Sequence, residues 1–455
     1  MLREYRRSDA IALAVLAAAI VGLGTAIAYL VSRHGIQTEH GRLLFGAPSY
    51  ARLADEMIEH RGFAAGGHET LDRMPLYIGL VAVCKLVAGQ YWSYALIALQ
   101  GALALLSGIM INRAARRITP IAWVPAVTTL AYAAHVGLQL EHFALRETVL
   151  YEFLVVSFFY LATRSAITNR IIALMALTVG LAFYTRPTGV LLIVPLALFI
   201  LLMPAPTLRH RLQTLAWAVA AVILLAAPWQ AYQSHAQGRL TLSATNVGGW
   251  NLYKGNSFAF EAVSPYIDHD TADSYVEQLR DQYHASLSGP HPSNARDEDD
   301  YLRQLAQADI RADYPRFLRK TVLRVLVYLS PLETPLGSAE ISVEQNRVVL
   351  MKYRGNFVDA DDSWIDFFEQ LSFFVVLFAI PLGFLGALKV ALGNPPLRAA
   401  AVASFAVVAV HLGAHALITA ETRYRLPLDP LFLLWGGVAL GYIFAPRPQD
   451  QGASP

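Results

Sequence analysis

The residues of this chain that could do chemistry are a few carboxylates and arginines placed where apolar runs begin or end. Glu147 follows Arg146 and opens an apolar run at Thr148. A charge at that boundary is costly in hydrocarbon without a role or a partner; an ion pair with Arg146 or with an arginine of a neighbouring helix is the plain alternative. Glu69, Asp72 and Arg73 stop abruptly at Met74-Pro75-Leu76-Tyr77, the start of a proline-led apolar helix. That sets them at the mouth of a membrane cavity. Glu421-Thr422-Arg423-Tyr424-Arg425-Leu426-Pro427 packs two arginines into a short turn between apolar runs. An anionic ligand or a buried acidic partner accounts for such a turn. Asn246–Asn256, which includes Gly248, Gly249 and Lys254, has a backbone able to approach phosphate closely, or is a turn-rich linker. Carboxylates in such places move protons and arginines hold anions. No ligand spacing demands a metal, although two carboxylates at this face leave room for a divalent ion.

The elements that must hold these residues are membrane helices. Of 455 residues, 55% are hydrophobic and only 15% charged, with a mean hydropathy of +0.41; soluble domains carry about 25% charge. A net charge of +2 gives no basic field and no case for nucleic acid. The lone Cys84 rules out an internal disulfide and a cysteine metal cluster, and reads as a small buried hydrophobe. Apolar runs at 10–31, 92–111, 121–140, 148–163, 170–185, 187–203, 212–231, 367–388, 397–418 and 428–445 give about ten transmembrane helices of the length a bilayer requires.

Basic clusters set the orientation. Arg3, Arg6 and Arg7 precede the first run, and Arg113, Arg116 and Arg117 follow the second. Arg164 and Arg170 follow the fourth, Arg209 and Arg211 the sixth, Lys389 and Arg398 the eighth, and Arg447 the tenth. All are cytoplasmic if the N-terminus is. The expectation is an all-α polytopic protein of the cytoplasmic (inner) membrane with both termini cytoplasmic. It divides into an N-terminal membrane module (1–231) with a first external loop (33–91), a second external loop region (232–365) and C-terminal membrane helices (366–455).

Both loops carry interfacial helices. Tyr50, Leu53, Met57 and Ile58 recur at helical spacing within 49–63, between Asp55, Glu56 and Glu59. The run 75–88 is too short to span and reads as interfacial or re-entrant. Residues 317–329 interleave apolar positions with Arg319, Lys320 and Arg324, an amphipathic helix with its basic side chains toward headgroups or an anionic ligand; an eleventh span is the competing reading. Pro228-Trp229 reads as an interface anchor, and about 285–300 as flexible.

In order along the chain, these stretches resemble the membrane C-type glycosyltransferases, in particular the bacterial relatives of protein O-mannosyltransferase and of the lipid A aminoarabinose transferase. Tyr50-Ala51-Arg52-Leu53-Ala54 is similar to the family's Tyr-x-x-x-Ala helix, and Arg73-Met74-Pro75-Leu76-Tyr77 to its Arg/Lys-Pro-Pro-Leu-Tyr motif. Arg146-Glu147-Thr148 resembles its Ser-Glu at an external helix start, and Thr185-Arg186-Pro187 with Gly189 its Thr-Arg-Pro-x-Gly turn. Pro228-Trp229, Asn246–Asn256 and Arg423–Pro427 complete the series. The resemblance implies inverting transfer of a sugar from a polyprenyl-phosphate carrier to an acceptor hydroxyl on a lipid, glycan or protein outside the cytoplasmic membrane. Arg73 is then placed to hold the departing phosphate, followed by Arg423, Arg425, Lys254 and Arg186. Tyr77 and Asn256 lie in the matching motifs.

One position departs from the family. Four residues before the motif tyrosine it usually carries an aspartate, and here stands Gly46, followed by Ala47. Either Glu39 serves from upstream, or another carboxylate does, with Glu147, Asp72 and Glu69 as candidates, or the protein binds a lipid-linked sugar without turning it over. A transporter or flippase is a further alternative. It lacks an internal repeat, and His411 and His415, four apart on one helix, form either a relay or bundle packing.

Overall fold

The computed structural model describes residues 8–22, 45–46, 49–60, 72–204, 207–261, 295–331, 338–344, 347–354, 363–420 and 422–444. Glu39 and Glu69 lie outside the described residues. The N-terminal half contains α1 (Ser8–Gly22), β1 (Phe45–Gly46), α2 (Ser49–Glu59), α3 (Pro75–Ala88), α4 (Trp92–Ile118), α5 (Val124–Ala134), α6 (Val136–Leu140), β2 (Ala144–Leu145) and α7 (Thr148–Ala162). It continues with α8 (Asn169–Thr185), α9 (Ile193–Leu202) and α10 (Leu208–Ala236). Then come α11 (Gly248–Asn256), α12 (Ala295–Ala312), α13 (Tyr314–Leu329), the strands β3 (Ser338–Glu344) and β4 (Arg347–Arg354), α14 (Ser363–Gly393), α15 (Pro395–Leu417) and α16 (Asp429–Phe444).

The helices start where their sequences provide a stop for the first turn. Thr168 caps α8 by accepting from the Ile171 amide (3.4 Å), and Thr207 caps α10 by accepting from that of His210 (3.2 Å). Prolines open α3 and α15, where the missing N–H has no partner to lose. Among the described residues, five helical stretches are long and apolar enough to cross a membrane: Pro75–Ile118, Leu208–Ala236, Leu371–Gly393, Pro395–Leu417 and Leu426–Phe444. Shorter apolar helices occupy Ser8–Gly22, Val124–Ala134, Thr148–Ala162, Asn169–Thr185 and Pro187–Leu202.

The main core joins α7, α8, α9, α15 and α16 through buried Phe158, Val179, Leu196, Val407 and Leu434. A second cluster fastens α2 to the bundle through Tyr50, Leu53, Ile78, Val81, Leu96 and Leu145. On α3, Val83, Leu86 and Val87 remain exposed, as suits a helix lying at an apolar boundary. At the other end, Arg117 of α4 and Arg164 after α7 both stand over the Tyr160 ring, at 4.3 and 5.0 Å. Residues of two of the basic clusters therefore meet there.

Four expectations are corrected. The predicted helix 121–140 breaks at His135, whose backbone leaves the helical region. The His135 imidazole contacts Asp429 across the bundle (Nε2–Oδ2 2.9 Å) and caps α6 by accepting from Leu138 N (3.3 Å). Residues 295–300 are helical, as the start of α12, whereas they read as flexible. Two small sheets interrupt the all-α pattern: a parallel pair, β1–β2, and an antiparallel hairpin, β3–β4. Finally, of the three basic residues expected on the outer face of α13, Lys320 and Arg324 are buried and Arg319 is exposed.

The buried face of α13 is its basic one. Arg316, Lys320, Arg324 and Tyr328 point inward, while Tyr314, Leu318, Val322 and Leu326 are 47–61% exposed. Arg324 donates to the carbonyls of Ala416 (3.1 Å) and Leu417 (3.4 Å) at the C-terminus of α15, and to Gly255 O at that of α11. Unpaired carbonyls and the negative helix ends make such sites favourable for a guanidinium. Arg316 binds the Asn256 and Ser257 carbonyls (3.1 and 3.0 Å) and Glu261 (2.5 Å). With Arg316, Lys320 and Arg324 committed inward and Arg319 exposed, α13 presents an apolar stripe outward. Spin labels at Leu318, Val322 and Leu326 in proteoliposomes should be relaxed by oxygen in the lipid and shielded from an aqueous nickel complex. The reverse ranking would contradict this orientation.

Candidate active site

The site is built from the ends of two helices and two segments from the first loop. The X-Pro step 186–187 ends α8, because proline disfavours helical backbone in the residue before it. Arg186 is accordingly extended (φ −141, ψ 142) and its side chain leaves the helix end sideways. Gly189 returns its amide to Arg186 O (2.8 Å) and lies so close to the backbone of Ala182 and Phe183 that a Cβ there has no room. Glu147 is the residue just before α7. Arg186 Nε meets Glu147 Oε1 at 2.7 Å, and its NH2 donates to Thr148 Oγ1 at 3.1 Å. Its guanidinium stands over the Tyr151 ring at 5.4 Å.

Helix α2 closes this pair from outside. Tyr50 donates its hydroxyl to Glu147 Oε2 (2.5 Å), so both oxygens of Glu147 are engaged. Arg73, itself exposed, lies over the Tyr50 ring at 5.4 Å. Tyr77 packs edge-on against Tyr50 (5.0 Å) and donates to Gln100 (2.8 Å), which in turn donates to the carbonyls of His142 (2.7 Å) and Ala144 (3.1 Å). The β1–β2 pairing sets Gly46 beside Leu145, two residues before Glu147. Gly46, where the sequence resemblance leads one to expect an aspartate, is thus close to this cluster along the paired strand.

Burial alone would push the Glu147 carboxyl up, but the Arg186 charge, the Tyr50 hydrogen bond and Arg73 outweigh it and bring it down to about 2. Burial and the neighbouring Glu147 charge push the Tyr50 hydroxyl up, so it stays a donor. Glu141 behaves differently. It is buried (6% exposed) and its carboxyl is pushed up by burial, against the charges of Arg146, Arg186 and Arg423 and a hydrogen bond with Thr148. Its Oε2 has no hydrogen-bond partner. Thr148 therefore links Glu141 to the same guanidinium that holds Glu147.

Of the expected site residues, Glu147, Arg186, Arg73 and Tyr77 come together. Asp72 is half-buried and its charge acts on Arg73. Arg423 stands over the Tyr424 ring (5.2 Å) with its charge reaching Glu141. Lys254 is buried over Trp250 (5.7 Å). Two residues turn away from any ligand. Arg425 is fully buried, paired with Asp429 (2.7 Å) and donating to Tyr328 O (2.9 Å). Asn256 is spent on Leu252 O, Leu417 O and Arg324. The glycine-rich stretch is helix α11, and the Asp299 carboxylate already occupies its N-terminus, taking the Gly249 and Trp250 amides (2.7 and 3.0 Å). It does not offer those amides to phosphate.

His411 and His415 are packing residues: His411 lies between Val407 O (2.8 Å) and the Tyr151 hydroxyl (2.5 Å), and His415 stacks on Tyr424 (4.5 Å). Trp229 is buried, donating to Ala244 O (2.9 Å), rather than anchoring at an interface. Among the described residues there is no group of three or more His, Cys, Asp or Glu side chains that could hold a metal. Sequence reasoning missed Tyr50 as a direct partner of Glu147, and Glu141 altogether. Beneath the cluster, an apolar cavity of about 340 Å³ runs between α1 and α4 past Ile20, Ile97, Gly101 and Leu105 to His142.

The overall arrangement matches solved membrane enzymes. An Archaeoglobus fulgidus oligosaccharyltransferase in the apo form superposes over 97% of this chain and 50% of its own, with TM-score 0.50 and 13% identity. The chain shares the fold of that enzyme. The chain spans about half the length of that archaeal enzyme. Archaeoglobus fulgidus AglB in complex with an inhibitory peptide and a dolichol-phosphate gives TM-score 0.49 at 13% identity, covering 97% of this chain and 50% of that one. ArnT from Cupriavidus metallidurans bound to undecaprenyl phosphate gives 0.39 at 15%, covering 93% and 78%. No family model matches the sequence, and no curated protein does.

The Glu147 carboxyl lies lower in the folded protein than its ordinary value of 4.5. Its pairing therefore stabilises the fold fully above about pH 4.5, and that contribution fades as pH falls toward 2. The melting temperature of the unaltered protein should exceed that of Glu147→Gln by a constant margin from pH 7 to about 5, and by less below. A margin independent of pH would contradict the pairing.

Proposed function

We propose that the protein is an inverting glycosyltransferase. It moves a sugar from a polyprenyl-phosphate carrier to an acceptor hydroxyl at the external face of the cytoplasmic membrane. The observation that carries this reading is the exposed Arg73 on Tyr50, held at the ends of apolar helices by the part-buried Glu147–Arg186 pair. A prenyl tail remains in lipid, so its phosphate meets the protein at that level. Arg73 neutralises the charge that grows on the phosphate oxygen as the sugar leaves. Donors aimed at developing charge are the larger part of many rate enhancements. The apolar cavity beside α4 suits the first isoprene units of the tail.

In this reading all ten apolar helices cross, both termini are cytoplasmic, and Glu147 with Arg186 positions rather than reacts. The fold shared with an oligosaccharyltransferase supports glycosyl transfer as the reaction class. The packed histidines speak against a proton-coupled transporter.

Purified protein incubated with a panel of polyprenyl-phosphate sugars should release polyprenyl phosphate in the presence of its acceptor. Arg73→Ala should lower kcat by roughly 100-fold, the scale of losing one donor to developing charge, with folding intact. Equal turnover by Arg73→Ala would remove Arg73 from the site. Binding of every donor without turnover would favour a silent lipid-sugar-binding protein.

A further inference from the structure

Transfer by the proposed reaction needs a group to take the acceptor's proton, and the usual aspartate position is Gly46. Glu147 is poorly suited to that work. Both of its oxygens are occupied, by Arg186 and Tyr50. A carboxylate stabilised so strongly as an anion is a weak base.

We infer that Glu141 is the carboxylate that takes the proton from the acceptor hydroxyl. The assignment rests on the glycosyltransferase reading above. Its geometric basis is a buried side chain with one oxygen tethered and the other buried without a partner. Thr148, which accepts from Arg186, hydrogen-bonds Glu141, and Arg146 NH1 lies 3.9 Å from Oε1. Oε2 is buried without a partner. Leaving a buried acceptor unsatisfied costs about 1–3 kcal/mol, and more for a charged group. An acceptor left without a partner at that cost, one hydroxyl away from the Arg186–Glu147 pair, is completed by a proton donor that the substrate brings.

The local chain explains why Glu141 reaches this place. The break at His135 stops the preceding helix early, and the short turn Glu141–Phe143 leads directly into β2. β2 pairs with the strand that ends at Gly46. Glu141 thus lies in the segment that enters the strand paired with Gly46.

The step balances without a co-reactant. The acceptor oxygen bonds to the anomeric carbon of the sugar, and its proton passes to Glu141 Oε2. The bond from that carbon to the phosphate oxygen breaks with its electron pair, leaving polyprenyl phosphate beside Arg73. Glu141 then returns its proton to solvent.

The charged and titratable groups acting on Glu141 come from each neighbouring segment: Arg146 before α7, Glu152 within it, Arg186 after α8, Arg423 before α16 and Tyr77 on α3. Burial lifts the Glu141 carboxyl above 4.5. Since the base must be ionised, transfer by the unaltered protein should fall as pH drops through that raised value.

The test is the pH profile of sugar transfer by the unaltered full-length protein and by Glu141→Gln and Glu141→Asp, with donor binding measured separately. Glu141→Gln should lose roughly 100- to 10,000-fold in kcat, keep its affinity for the donor and lose the acid limb. Glu141→Asp, which keeps the charge and guards against misfolding of the amide, should be slower with its acid limb displaced. Turnover near the unaltered rate in Glu141→Gln, or an unchanged rate and limb in Glu141→Asp, would overturn the assignment. Absence of transfer by the unaltered protein with every donor and acceptor would overturn the function itself, and this role with it.

Discussion

The contact between Arg186 and Glu147 is the constraint on which the outer end of this bundle depends. Each charge alone would be expensive in such a poorly hydrated place, and each is affordable only because hydrogen bonds complete it. Arg186 is completed by Thr148 and the Tyr151 ring, and Glu147 by Tyr50. Three segments far apart in the chain are thereby tied at one point: the end of α8, the start of α7 and the first-loop helix α2. Helix α2 is positioned by α7 and α8 through this pair, and Arg73 follows because it rests on Tyr50.

A second set of cations fastens the other loop by the same physics used differently. Arg324 and Arg316 on α13 satisfy carbonyls at the ends of α11 and α15, and Asp299 satisfies amides at the start of α11. Helix ends provide partial charges that need partners, so buried cations and a buried carboxylate can serve as structural pins. The outcome is a helix whose charged face is inside and whose apolar stripe is outside, the arrangement expected where the surroundings are lipid rather than water.

Much of this was legible in the sequence. The helix starting at Pro75 and ending at Ala88 follows its apolar run residue for residue, and the motif residues Glu147, Arg186, Arg73 and Tyr77 do converge. The residues that were misplaced have partners that local spacing does not encode. Tyr50 meets Glu147 across 97 positions, and His135 meets Asp429 across 294. Arg425 and Asn256 carry the right chemistry for a ligand, yet Asp429 and the carbonyls of Tyr328 and Leu417 reach them first. Glu141 was hidden because 121–140 read as one continuous helix, and periodicity does not reveal that His135 leaves it. For α13, alternation of basic and apolar residues defined two faces but not which one the protein would bury.

The most direct test of the account is a structure of the protein in lipid nanodiscs with a polyprenyl phosphate bound. The phosphate should lie within hydrogen-bonding reach of Arg73, beside Tyr50, with the first part of the chain passing into the apolar cavity along α4. A phosphate held elsewhere, or a lipid that enters from another face of the bundle while the Tyr50–Glu147–Arg186 cluster stays closed, would contradict it.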